Sequence, residues 1–183
     1  MDISLFLAFL RQHQLPFFPS FMYVVVKALN TIPEFRLRIQ NGQVIEYDII
    51  HPAFTVMTDT GIYDNCDVEW QAFKEYLIAV KAKMAATKKG DISSFHDLMD
   101  QRMDQFFISS IPWINFTSAI HPMAGNDFDS VPRILWGKHY EENGKTLIAL
   151  QIQAHHALID GYPYCLGILK IQEMLNDPQT YLV

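Results

Sequence analysis

The residues that invite a chemical reading stand together at positions 153–161, Gln-Ala-His-His-Ala-Leu-Ile-Asp-Gly. Imidazole is the side chain best suited to moving protons near neutral pH. Residues 145–156, Lys-Thr-Leu-Ile-Ala-Leu-Gln-Ile-Gln-Ala-His-His, read as one strand. Neighbouring side chains on a strand point to opposite faces, so His155 and His156 diverge and make a poor chelating pair. His156 then shares a face with Ile148, Leu150, Ile152 and Ala154. An imidazole on an apolar face is partly desolvated, which favours the neutral form that a general base requires. Gly161 permits a sharp turn after the strand. Asp160 sits in that turn and braces it through an ion pair or backbone hydrogen bonds. A lone histidine at a strand end is more often structural than catalytic; the grouping makes this one a candidate.

Other chemistries find less support. Cys66 and Cys165 are too far apart in sequence to suggest a disulfide framework or zinc spacing, so they read as reduced thiols and no metal is expected. A net charge of −6 argues against a nucleic-acid surface. The apolar run at residues 3–10 is too short to span a bilayer and follows Asp2 rather than a basic region. A cytoplasmic protein without membrane association is expected. With 183 residues, half of them apolar, the chain can bury one substantial core.

Several elements must position the histidine segment. Residues 2–12 read as a short helix, and Pro19 opens a second with Met22, Val25, Val26 and Leu29 on one face. Residues 35–40 alternate as a strand, Asn41-Gly42 signals a two-residue turn, and residues 43–50 return. Residues 54–58 form another strand. Asp67 caps a helix carrying Trp70, Phe73, Leu77, Val80 and Met84, which Gly90 ends. Residues 91–105 form a long connection with a short helix. Strands are expected at 113–118 and 133–140, and a last helix at 163–176, opened by Pro163. Strands and helices mix without strict alternation. The expected fold is therefore α+β, a two-layer sandwich with helices on one face of a mixed sheet.

The pattern His155-His156-x-x-x-Asp160-Gly161 resembles the signature of chloramphenicol acetyltransferases, dihydrolipoamide acyltransferase cores and condensation domains. A second block, Ser109-Ser-Ile-Pro-Trp113-Ile-Asn-Phe116, resembles the Pro-Trp block of the chloramphenicol acetyltransferase family specifically. The resemblance extends through residues 19–57 and covers nearly the whole chain. It implies transfer of acetyl from acetyl-CoA to the 3-hydroxyl of chloramphenicol or a related small hydroxyl compound, without a metal. His156 would be the base, Ser109 the oxyanion donor, and Asp160 the structural support of the histidine loop. Trp113 and Lys138 would meet CoA, and Gln153 the acceptor. Taken alone, each has a plainer reading: Ser109 a turn serine, Trp113 core, Lys138 an exposed lysine, Gln153 a structural amide. The resemblance also implies a homotrimer with active sites between subunits.

There are departures from the family pattern. Residues 1–183 read as a single domain apparently lacking the family's N-terminal segment, including the arginine that pairs with the motif aspartate. Asp160 must then be solvated, protonated, or paired with Arg11, Arg36, Arg38, Arg102 or Arg133. Leu135 stands where the family commonly has a threonine. Tyr162-Pro163 replaces Phe-His, and Ala119 and His121 occupy positions that are normally apolar. Two alternatives stay open: a diverged member with another acceptor or no catalysis, and a dihydrolipoamide acyltransferase-like core.

Overall fold

The structure is a computed structural model that describes residues 1–90, 102–123 and 125–182, without the side chain of Phe128. Most of the connection read at 91–105 lies outside the described residues.

Helix α1 spans Ser4–Gln12, preceded by the Asp2 carboxylate, which accepts hydrogen bonds from the Ser4 N–H and hydroxyl. Helix α2 spans Phe17–Asn30. It starts two residues before the expected Pro19, which fits inside the first turn because no helical acceptor awaits its missing N–H there. Most of α2 is buried, as a helix that is apolar all round should be. A hairpin follows, β1 (Leu37–Gln40) and β2 (Gln43–Glu46). Its turn residues Asn41 and Gly42 both have positive φ, 51° and 74°, as the dipeptide predicts.

The central sheet contains β3 (His51–Met57), β4 (Tyr63–Asp67), β5 (Gln105–Ser110), β6 (Arg133–Trp136) and β9 (Leu150–Gln153). A second hairpin, β7 (Tyr140–Glu142) and β8 (Lys145–Leu147), precedes β9. The spatial order is β4-β3-β5-β6-β9. The inner pairs β3/β5 and β5/β6 are parallel, and the outer pairs β3/β4 and β6/β9 are antiparallel. Helix α3 (Phe73–Lys88) lies by β3 and β4, and α4 (Gly161–Asn176) against α2. A short helix α5 (Pro178–Tyr181) closes the described chain. This is the expected α+β architecture with a mixed sheet.

One row crossing the sheet, Cys66–Phe54–Ile108–Ile134–Ile152, belongs to the same buried cluster as α2 and α4. Residues one step along these strands face the other way, among them Ser109, Leu135 and Gln151. Arg38 pins the first hairpin to the lead of β5. Fully buried, it donates to the carbonyl oxygens of Phe35, Leu37, Met103 and Gln105 at 2.7–3.0 Å. Burial pushes its pKa down to about 9, which still leaves it charged at neutral pH.

Several boundaries differ from the sequence reading. Asp67 ends β4 rather than capping α3, whose N-cap is Ala72. Polar Asp64, Asn65 and Asp67 disguise β4, an edge strand that buries Asp64 and Cys66. Residues 113–118 form no strand; that strand runs at 105–110. The expected strand 145–156 is two short strands, and His156 lies beyond both. Residues 146–148 bond to Met1–Ile3 instead of β6. At the other end the last β6/β9 pair is Arg133 with Gln153. The ladder stops there.

Candidate active site

His156 sits in the turn between β9 and α4 and is exposed, in contrast with the half-desolvated position expected of a strand residue. Its neighbour His155 holds the turn. The His155 carbonyl accepts from the Leu158 and Ile159 N–H groups at 3.0 Å, and its Nδ1 accepts from the Ala157 N–H at 3.3 Å. The two imidazoles therefore have different surroundings: one is bonded into the backbone, the other borders open space.

That space is a cleft of about 440 Å³, bordered by Ala119, Ile120, Gln151, Gln153, His156 and Tyr164. Asp160 lies at its rim and is exposed. Its carboxylate accepts from the Gly161 N–H at 2.7 Å, which makes it the N-cap of α4. Among the described residues no arginine pairs with it. Arg36 meets Glu46, Arg38 meets backbone carbonyls, Arg102 meets Asp67, Glu69 and Asp104, and Arg133 meets Asp129. Asp160 is thus exposed to solvent and not held by an arginine among the described residues.

The cleft wall opposite α4 is tied to the sheet. The His121 N–H donates to Gln153 Oε1 at 2.9 Å, which fixes the Gln153 carboxamide and draws the Ala119–His121 segment against β9. Burial, followed by the nearby Arg133 charge, lowers the His121 pKa below the usual imidazole value, against a smaller opposing effect of Gln153. Tyr164 donates from its hydroxyl to the Ile152 carbonyl at 3.1 Å, and burial raises its pKa, so the phenol stays protonated. Tyr164, Ile120 and Gln151 are cleft residues that the sequence reading does not single out. Gln151 was legible, because it lies two residues before Gln153 and hence on the same strand face.

Ser109 is on β5, half-buried on the open face of the sheet. It pairs with Leu135, which in turn pairs with Gln151. Two strand spacings, roughly 10 Å, thus separate the Ser109 and Gln151 backbones. Among the described residues the Ser109 hydroxyl has no hydrogen-bond partner. Trp113 is 61% exposed and borders another groove, of about 240 Å³, with Phe18, Met57 and Ser110. Lys138 is exposed, and its N–H donates to the Ile114 carbonyl at 2.8 Å. Gly137 permits that approach: a Cβ there would lie 2.9 Å from the Ile114 oxygen.

The structure therefore groups His156, Gln153 and Asp160 in one cleft and sets Trp113 and Lys138 apart from it. β9 runs antiparallel to β6, so its end at Gln153 lies beside Arg133, the start of β6. Trp113 and Lys138 lie past the other ends of β5 and β6. The length of β6, roughly 10 Å, stands between the two groups within one chain.

A family model described as chloramphenicol acetyltransferase matches residues 1–172. A chloramphenicol acetyltransferase of Campylobacter coli is 30% identical over 96% of this chain and 86% of its own length. One of Escherichia coli is 29% identical over 99% and 79% respectively. Among solved structures, a chloramphenicol acetyltransferase superposes with a TM-score of 0.84 at 23% identity, over 95% of this chain and 84% of the other. The cubic core of the pyruvate dehydrogenase multienzyme complex gives a TM-score of 0.77 at 18% identity, over 100% and 81%. The two structural likenesses bear on the fold alone.

Proposed function

The chain belongs to the chloramphenicol acetyltransferase family, and on that premise we propose that it transfers acetyl from acetyl-CoA to the 3-hydroxyl of chloramphenicol, with His156 as general base. The observation that carries this reading is the position of His156 at the mouth of a cleft, with its neighbour His155 committed to the turn. Neutral His156 takes the hydroxyl proton while the alcohol oxygen attacks the thioester carbonyl. The tetrahedral intermediate carries an oxyanion, for which the Ser109 hydroxyl is the donor. Collapse forms the ester and expels the CoA thiolate, which recovers the proton from His156. The protein needs no metal for these steps. Asp160 does no chemistry; it starts α4 and so fixes the loop that carries His156.

Trp113 and Lys138 contact CoA, and Gln153 contacts the acceptor. Within one chain Trp113 and Lys138 lie at the opposite end of β6 from the His156 cleft, which supports a homotrimer with each site between two subunits. One copy supplies His156 and Gln153; its neighbour supplies Ser109 and the CoA contacts. The exposed apolar side chains Trp113, Ile114 and Ile120 fit such an interface. The activity corresponds to cytoplasmic inactivation of the antibiotic, and hence to resistance.

The test follows thiol release from acetyl-CoA with and without chloramphenicol, in the wild type and in His156→Ala. Release that depends on chloramphenicol and falls by about 10²–10⁴-fold in the variant is expected. A folded wild-type protein that releases no CoA with chloramphenicol or with a panel of small alcohols would overturn the proposal.

A further inference from the structure

The His156 cleft contains an amide that the catalytic scheme leaves unused. Gln151 Oε1 is buried and has no hydrogen-bond partner among the described residues, although the side chain borders the cleft. Leaving such a group unpaired costs about 1–3 kcal/mol, so a folded protein that retains one points to a partner that arrives later. Gln153 lies two residues on, on the same strand face, with the two backbones about 6.6 Å apart. Its Oε1 is already taken by the His121 N–H, which leaves its amide nitrogen as the free end. Side by side, the two residues offer one acceptor, Gln151 Oε1, and one donor, Gln153 Nε2. A secondary amide presents the complementary pair, an N–H and a C=O on opposite edges.

We infer that Gln151 is a specificity-determining residue that accepts a hydrogen bond from an amide N–H of the acceptor, so that the cleft favours alcohols bearing a secondary amide. This rests on the reading of the His156 cleft as the acceptor site. Leu135, the cross-strand partner of Gln151, is apolar and offers no competing hydrogen bond. The neighbouring Ala119 and Ile120 leave the recognition of polar groups to the glutamines.

The experiment compares chloramphenicol, which carries a secondary amide, with its N-methylated amide analogue. The proteins are the wild type, Gln151→Met and Gln151→Glu, read by steady-state kinetics and by calorimetric binding. In the wild type, N-methylation raises KM and Kd about tenfold, which corresponds to about 1.4 kcal/mol. Gln151→Met abolishes this discrimination without altering the KM for acetyl-CoA. Gln151→Glu, which keeps an acceptor oxygen, preserves it. Equal discrimination in the wild type and Gln151→Met, loss of discrimination in Gln151→Glu, or no binding of either compound overturns the inference. A changed sedimentation coefficient in Gln151→Met with discrimination intact also overturns it, because the amide then faces a second copy of the chain. Binding that discriminates in the wild type but not in Gln151→Met, without acetyl transfer, sustains the inference and sinks the proposed function instead.

Discussion

Two rows of residues cross the same strands one position apart, and they differ in almost everything else. Cys66, Phe54, Ile108, Ile134 and Ile152 face the helices, and each is at most 5% exposed. Ser109, Leu135 and Gln151 face the other way; Leu135 is buried too, but Ser109 and Gln151 are half-buried, and among the described residues neither Ser109 Oγ nor Gln151 Oε1 has a hydrogen-bond partner. The strand period of two is the whole cause of the separation. It lets one ladder of backbone hydrogen bonds carry a close-packed face and a chemically open face without compromise between them.

Substitutions in the two rows should therefore fail in opposite ways. Ile134→Ala removes a fully buried side chain from the packed row and should cost about 3–4 kcal/mol by urea denaturation, with the rate per folded molecule little changed. Ser109→Ala should leave the urea midpoint nearly unchanged and lower kcat about 10²–10³-fold, corresponding to about 2.7–4 kcal/mol on the barrier. Comparable stability losses in the two variants would erase the contrast between the faces.

A smaller effect sharpens the comparison at the end of β9. Asp160→Ala removes the N-cap of α4 and should cost about 1 kcal/mol in stability. Asp160→Asn, which retains a capping oxygen, should recover most of that loss in thermal melts. If Asn fares no better than Ala, the carboxylate charge matters and not the cap.

The smallest effect expected is a pH dependence of the loop that walls the cleft. His121 has a folded-state pKa below its ordinary value of ~6.5. The unfolded chain therefore takes up the proton more readily, and stability rises with pH over this range. The contribution is fully present above about pH 6.5 and is lost as pH falls through the lower folded value. Melting temperatures measured between pH 5 and 7 should fall on acidification in the wild type and fall less in His121→Gln. Identical profiles would remove His121 from the account.

Much of the fold was legible in local chemistry. Asn41-Gly42 announces its hairpin, and Gly90, at φ +79°, ends α3 as read. Asn143-Gly144 carries the same signal, with φ of 51° and 75°, yet the apolar residues that follow it suggest one long strand. What divides that strand is pairing. Residues 146–148 bond to Met1–Ile3, and the β6/β9 ladder ends at Gln153. No periodicity within residues 145–156 contains that information. The exposure of His156 follows directly from it, because a residue past the end of the ladder is not bound to the alternation that would have placed it on an apolar face.

By itself, the sequence determined the family and the mixed α+β architecture, because turn dipeptides, helix stops and the motif around His156 are local features readable in order. It also determined that His155 and His156 have different surroundings, though not why. Tertiary structure alone decided which of the two is bonded into the turn, that Asp160 is a solvated helix cap, and that Gln151 and Gln153 share a wall with His156. It also decided that the opposite end of β6 holds Trp113 and Lys138. These are relations between segments distant in the chain, set by strand order, strand direction and the places where ladders end.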